Sequence, residues 1–220
     1  STQGVSSAAS DVYKRQDGTL RGTFTLTAEG QSDSNIRRIF TTGFQSEWKS
    51  TMERQLLAIS PKARLLSVDY GKNPKDYQAA PIKITFRYEI PDYALRGEGE
   101  MFFRPMVMNN LYNQVRSYIW IDTSVENRKY GFKDGCSRLV ELDETIQLPA
   151  GYKLVSAAKD ETMQGVGADF EGSLVQKGNK VLLHNRLALK KRVYEASDWE
   201  SFRNAVNAHK AYGEYLVIKK

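Results

Sequence analysis

The sequence predicts an α+β, mainly β protein, built from antiparallel sheets in a sandwich-like arrangement, with one helix in the N-terminal half and one near the C-terminus. Three observations carry this. Apolar and polar residues alternate with a period of two in several segments, most cleanly where Ile82, Ile84, Phe86, Tyr88 and Ile90 interleave with Lys83, Thr85, Arg87 and Glu89. Only two stretches carry helical spacing and caps. Turn signals such as Asp17-Gly18, Asn73-Pro74, Pro91-Asp92, Asp134-Gly135 and Lys177-Gly178-Asn179 punctuate the apolar segments. The order of elements does not fit a Rossmann or P-loop architecture.

Along the chain, Leu20, Gly22, Phe24 and Leu26 alternate with Arg21, Thr23 and Thr25, a half-buried strand. Ser32, Asp33 and Ser34 offer N-cap oxygens to a helix with Ile36, Phe40, Phe44, Trp48, Met52 and Leu56 each four apart. Strict fourfold spacing drifts around a helix of 3.6 residues per turn, so the stripe wraps, Gly43 marks a bend, and Pro61 ends the element. Leu66, Val68 and Tyr70 predict the next strand, residues 82–90 another, and Met101 to Phe103 a short one before Pro105. The polar side of 82–90 is charged, so one face of its sheet meets water. The segment MVMNNLYNQVR breaks the pattern, which places a domain boundary there: 17–106 forms a β-α-β-β-β unit and 107–220 an antiparallel β unit with a terminal helix and strand.

In the second unit, Ser117 to Ile121, Leu139 to Leu148, a short stretch at Val155, Phe170 to Val175 and Val181 to Leu189 read as strands, the last two forming a hairpin. Ser197 with Glu200 three residues later is a capping box. Trp199, Phe202, Val206 and His209 share the face of the helix that follows, Gly213 closes it, and Tyr215 to Ile218 form the last strand.

Composition excludes several functions. With 40% of the chain hydrophobic and 11% of it aromatic, a packed core is expected rather than global disorder. No apolar run approaches the ~20 residues that span a bilayer, so no membrane insertion is expected. The net charge is +6, but the basic residues are scattered, the longest cluster being Lys190, Lys191 and Arg192. That is a solvated surface rather than a nucleic-acid footprint.

No constellation of catalytic groups stands out. Cys136 follows a turn and lacks an adjacent activating group; a pair with His184 is the one arrangement that would make it a nucleophile, and a buried or inert thiol is the expectation. One cysteine and two histidines far apart make a zinc site improbable, and no cofactor is expected. The acidic pairs Asp143-Glu144, Asp160-Glu161 and Glu98-Gly99-Glu100 read as solvated loops, and Gly165-Val166-Gly167 is too short for a dinucleotide fingerprint. The candidate ligand surface is aromatic: Tyr112, Tyr118, Trp120, Tyr130 and Tyr152 lie near turns or strand ends.

Two resemblances add to this. Ser6 to Gln16, SSAASDVYKRQ, resembles in all eleven residues the translation of a sequencing-library adapter ending in a transposase mosaic end. Residues 1–16 are therefore set apart as an adapter-derived or disordered tail. The rest resembles the C-terminal domain of unknown function that follows the transglutaminase-like domain in multidomain proteins of Bacteroidetes. The stretches that carry this are Asp17-Gly18-Thr19-Leu20-Arg21-Gly22 through Gly30 to Arg37-Arg38, then Ile90-Pro91-Asp92-Tyr93-Ala94, then Leu148-Pro149-Ala150-Gly151-Tyr152, and finally Tyr194, Trp199, Phe202-Arg203 and Leu216 to Lys220.

The resemblance implies a periplasmic or extracellular protein whose catalytic residues lie upstream, so no catalytic residue carries over. The expected role is a non-catalytic accessory domain that packs against or frames an upstream transglutaminase-like domain. The alternative is a β module that binds a peptide, a glycan or an envelope protein. An independent enzyme is the least favoured reading.

Overall fold

The computed structural model describes residues 17–78, 81–106, 121–133, 138–157 and 159–220. In chain order the elements are β1 (Leu20–Glu29), α1 (Gly30–Thr41), a 3-10 turn at Gln45–Glu47, α2 (Trp48–Leu57), β2 (Arg64–Asp69), β3 (Ile82–Ile90), β4 (Leu95–Arg96) and β5 (Glu100–Phe103). They continue with β6 (Phe132–Lys133), β7 (Arg138–Gln147), β8 (Lys153–Leu154), β9 (Lys159–Gln164), β10 (Ala168–Lys177), β11 (Lys180–Leu189), β12 (Val193–Tyr194), a 3-10 turn at Ala196–Asp198, α3 (Trp199–Ala211) and β13 (Leu216–Lys219). The fold is α+β, mainly β and antiparallel.

Among the described residues, one sheet of seven strands dominates, in the order β2-β3-β1-β7-β11-β10-β9. Its two faces follow from strand alternation. Phe86, Phe24, Glu144, Leu183 and Leu174 form one cross-strand row on the inner face. Thr85, Thr25, Asp143, His184 and Ser173 form the neighbouring row on the outer face. The inner face is buried, with α1 packed on β1 and β7 and α3 on β10 and β11. The outer face is polar and meets water, as the charged side of 82–90 predicts. A second sheet of four strands, β4-β5-β13-β8, turns Met101, Phe103, Leu216 and Ile218 into the same core. The pair β6–β12 forms a small ribbon beside α3.

Several expectations are corrected. The division at residue 106 would cut the large sheet between β1 and β7, which pair from Arg21–Gln147 to Glu29–Leu139. The two segments share one core. The single long helix is two helices. A continuous helix cannot hold six residues spaced by four on one face, and the chain breaks at residues 42–47 to bring the stripe back into phase. Ile36, Phe40, Trp48, Met52 and Leu56 are buried, while Phe44, caught in the break, is 76% exposed. The Trp48 indole N–H donates to the Phe40 carbonyl at 3.3 Å and ties α2 back to α1. α2 ends at Leu57, ahead of Pro61.

Neither expected cap is the one used. α1 starts at Gly30, and Asp33 spends its carboxylate on the Ile82 N–H at 2.8 Å and on Arg37 at 2.6 Å. Arg37, only 2% exposed, donates in turn to the carbonyls of Asp76 and Pro74, so α1 anchors the approach to β3. Before α3 the capping carboxylate is Asp198, which accepts the Glu195 N–H at 2.8 Å. The hairpin is where it was expected, closed by Gly178 and Asn179 with Gly178 at φ +60°, a left-handed conformation that glycine adopts freely. The strand β9 was not expected. Its sequence, KDETMQ, is polar because it is an edge strand with one partner and little burial. Of the predicted strand Ser117 to Ile121, residues 117–120 lie outside the described residues.

Candidate functional site

The four-stranded sheet is apolar on both faces. Leu95 pairs with Phe102, and Phe102 with Val217. The register of β13 with β8 continues to Val155, whose N–H donates to the Val217 carbonyl at 2.8 Å. Strand alternation therefore puts Leu95, Phe102, Val217 and Val155 in one row on the face opposite the core. Leu95 is 62% exposed and Val155 51%, with Phe102 and Val217 half-buried between them. Tyr215, two residues before Val217, extends the strip and is also exposed; the Arg104 guanidinium lies 5.7 Å from its ring and donates to the Gly213 carbonyl. An ion pair between Glu100 and Lys219 marks the other rim. This geometry is an apolar strip four strands wide with charged margins, the form of a surface that another protein covers.

The sequence reading did not single out these residues. The available signal was that EMFF and LVIK carry apolar side chains at consecutive positions, the pattern of a strand covered on both faces. Of the predicted aromatic surface, Tyr112, Tyr118 and Trp120 lie outside the described residues. Tyr130 is exposed beside Lys129, near the start of β6. Tyr152 packs against the core in the turn before β8, its N–H donating to the Pro149 carbonyl. These two tyrosines lie in loops that lead into strands of different sheets.

Cys136 also lies outside the described residues. His184 is on the outer face of β11, with Nδ1 2.6 Å from Asp143 and Nε2 3.9 Å from Glu171. Arg138, the first described residue after Cys136, pairs with Leu189, five positions along β11 from His184. The acidic pair Asp143-Glu144 lies within β7, as the predicted strand 139–148 has it, and the solvated-loop reading is corrected: Asp143 faces outward and Glu144 is buried at 2% exposure. Asp160-Glu161 likewise falls in β9. Glu144 accepts the Tyr88 hydroxyl at 2.5 Å and the Met106 N–H at 3.0 Å, so it holds the inner face together. Gly165 and Gly167 belong to the β9–β10 turn, where a side chain on Gly167 would strike the Tyr194 ring; their role is close packing. Among the described residues no three histidine, cysteine or acidic side chains converge as metal ligands, and no helix is long and apolar enough to cross a membrane.

No curated protein sequence matches the chain. A solved structure described as a putative protease from Parabacteroides distasonis is similar to it at 12% identity with a TM-score of 0.45, over 56% of this chain and 24% of that one. The chain thus spans about a quarter of the length of that protein. A family model described as a domain of unknown function with a solved structure, DUF3858, matches residues 99–217. That match runs from the turn into β5 through β7, β9 to β11 and α3 into β13, more than half of the sequence, and the chain belongs to the DUF3858 family.

Proposed function

We propose that this chain is a non-catalytic accessory domain of a larger exported protein, and that it docks against an upstream transglutaminase-like catalytic domain through the outer face of the four-stranded sheet. The observation that carries the reading is the row Leu95, Phe102, Val217 and Val155, apolar on a face that has no cover among the described residues. Burying an aliphatic or aromatic side chain of this size contributes roughly 1.5–3 kcal/mol each, so a four-residue strip is enough to hold two domains of one chain together. The charged margins formed by Arg104 and the Glu100–Lys219 pair suit a rim that stays wet while the strip is covered. The resemblance of residues 17–220 to domains that follow a transglutaminase-like domain supports the choice of partner and the periplasmic or extracellular location.

The test is the pair Leu95→Asp and Val155→Asp in the full parent polypeptide. Both side chains are more than half exposed, so the isolated chain keeps its melting temperature. In the parent the two domains then unfold as separate transitions and turnover falls. A parent whose unfolding and turnover ignore both substitutions overturns the docking face.

A further inference from the structure

The outer face of the large sheet carries a second feature, on a different sheet from the docking strip. At the end of β1 nearest its start, Arg64, Glu89, Arg21, Gln147 and Lys180 form one cross-strand row. The next row holds Arg87, Thr23 and Thr145. Between them lies an open cleft of about 400 Å³ lined by Arg21, Thr23, Arg87, Thr145, Gln147 and Lys180, with Leu66 at its rim. Strands are ~4.8 Å apart, so the small threonines form a floor between long side chains that reach in from β3 and β11.

Every charged group lining this cleft is a cation. Glu89, the nearest carboxylate, is committed to Arg21 at 2.6 Å and to Arg64 at 3.7 Å. Asp143, one row further on, is held by His184. Among the described residues Arg87 and Lys180 have no ion-pair partner, and the hydroxyls of Thr23 and Thr145 and the amide of Gln147 have no side-chain partner. Two uncommitted cations above a floor of free hydroxyl and amide groups complement an oxyanion borne on a polyhydroxylated body. An extended peptide would pair with an open strand edge instead, whereas β1 and β7 under this cleft have their backbones paired on both sides.

We propose that this cleft binds an acidic saccharide, with Arg87 and Lys180 holding its carboxylate or sulfate and Thr23, Thr145 and Gln147 hydrogen-bonding its hydroxyls. The test is isothermal titration of the full chain, at low salt, with trigalacturonate, a sulfated heparin tetrasaccharide and neutral cellotetraose. One or both acidic oligosaccharides bind, and which one does identifies the anion; cellotetraose does not. Arg87→Gln and Lys180→Gln each weaken that binding by roughly fivefold, the scale of a solvent-exposed ion pair, and together they remove it. Lys83→Gln, on the same face four residues along β3, leaves it unchanged. Absence of binding by both acidic probes, equal binding of cellotetraose, equal loss in the Lys83 variant, or displacement by inorganic phosphate at the same concentration each overturns the assignment. None of these outcomes bears on the docking strip, which lies on the other sheet.

Discussion

Glu144 is the residue on which the inner face turns. Its neighbours on that face of β7, Leu142 and Ile146, are apolar, and a carboxylate among them is tolerated only while hydrogen-bond donors surround it. Tyr88 supplies one by reaching across Gly22, where an added Cβ would lie 2.5 Å from the tyrosine hydroxyl and 2.6 Å from the Thr145 carbonyl. Burial first, and then the Glu144 charge, push the Tyr88 phenol well above its ordinary range, so it stays a donor beyond the pH at which a free phenol ionises. Tyr88→Phe should therefore cost about 1–3 kcal/mol in urea unfolding, because it strips a donor from a buried acid. A neutral result would show that Glu144 does not depend on this contact. Tyr212 is the opposite case. Among the described residues its buried hydroxyl has no hydrogen-bond partner, and burial, with Glu161 and Asp160 behind it, pushes its pKa up to about 12. The unfolded phenol ionises near its ordinary value of about 10, so this contribution to stability is complete below pH 10 and fades as pH rises towards 12. Tyr212→Phe should leave stability at pH 7 unchanged or higher and flatten the decline above pH 10, read by thermal melts across that range. Loss of stability at pH 7 would reveal a partner for the hydroxyl.

At the scale of elements, the start of α3 is set by Asp198. Hydrogen bonds from Lys191 and from the Glu195 N–H hold its carboxyl below the usual range. A depressed carboxylate stabilises the fold above its unfolded pKa, about 3.9, and that stability is lost as pH falls through the lower folded value. Asp198→Asn should thus lower the melting temperature at pH 7 and make much less difference near pH 3. An equal drop at both values would assign the effect to packing rather than to charge. The sequence places a helix here through Trp199, Phe202, Val206 and His209, all of them buried, but Ser197 looked the better cap because local spacing cannot reveal a lysine from the preceding loop. The same limit explains the other differences. Strand β3 is legible because period-two alternation is a local property. The predicted strand 139–148 already puts Asp143 and Glu144 on opposite faces, but that the acid facing inward is sustained by Tyr88, 56 residues away, is not a local property. The apolar strip on the four-stranded sheet needs the registers of three strand pairs, two of them joining segments more than 60 residues apart, and no local pattern contains that.

For the whole molecule, the position of β1 decides what counts as a folding unit. The family match begins at residue 99, yet the core its strands line is shared with β1, β3, α1 and α2 from before that residue. Within the large sheet, β7 is flanked by β11 on one side and by β1 on the other, and Phe24, Leu26 and Ala28 of β1 are buried against its inner face beside α1. Residues 17–98 supply β1, β2, β3, β4, α1 and α2; removing them bares the full length of β7 as an edge strand and uncovers Val140, Leu142 and Ile146. An exposed long edge with an apolar face is an aggregation surface rather than a stable boundary. It would also leave Glu144 without Tyr88 in a half-opened core. A chain cut to residues 99–220 should therefore lose cooperative thermal unfolding by circular dichroism and elute as aggregate, while a chain cut only to residues 17–220 should melt in one transition. If the shorter chain melted sharply near the temperature of the longer one, β7 would have to satisfy its free edge in some other way, and the shared core across residue 106 would not be what holds the two segments together.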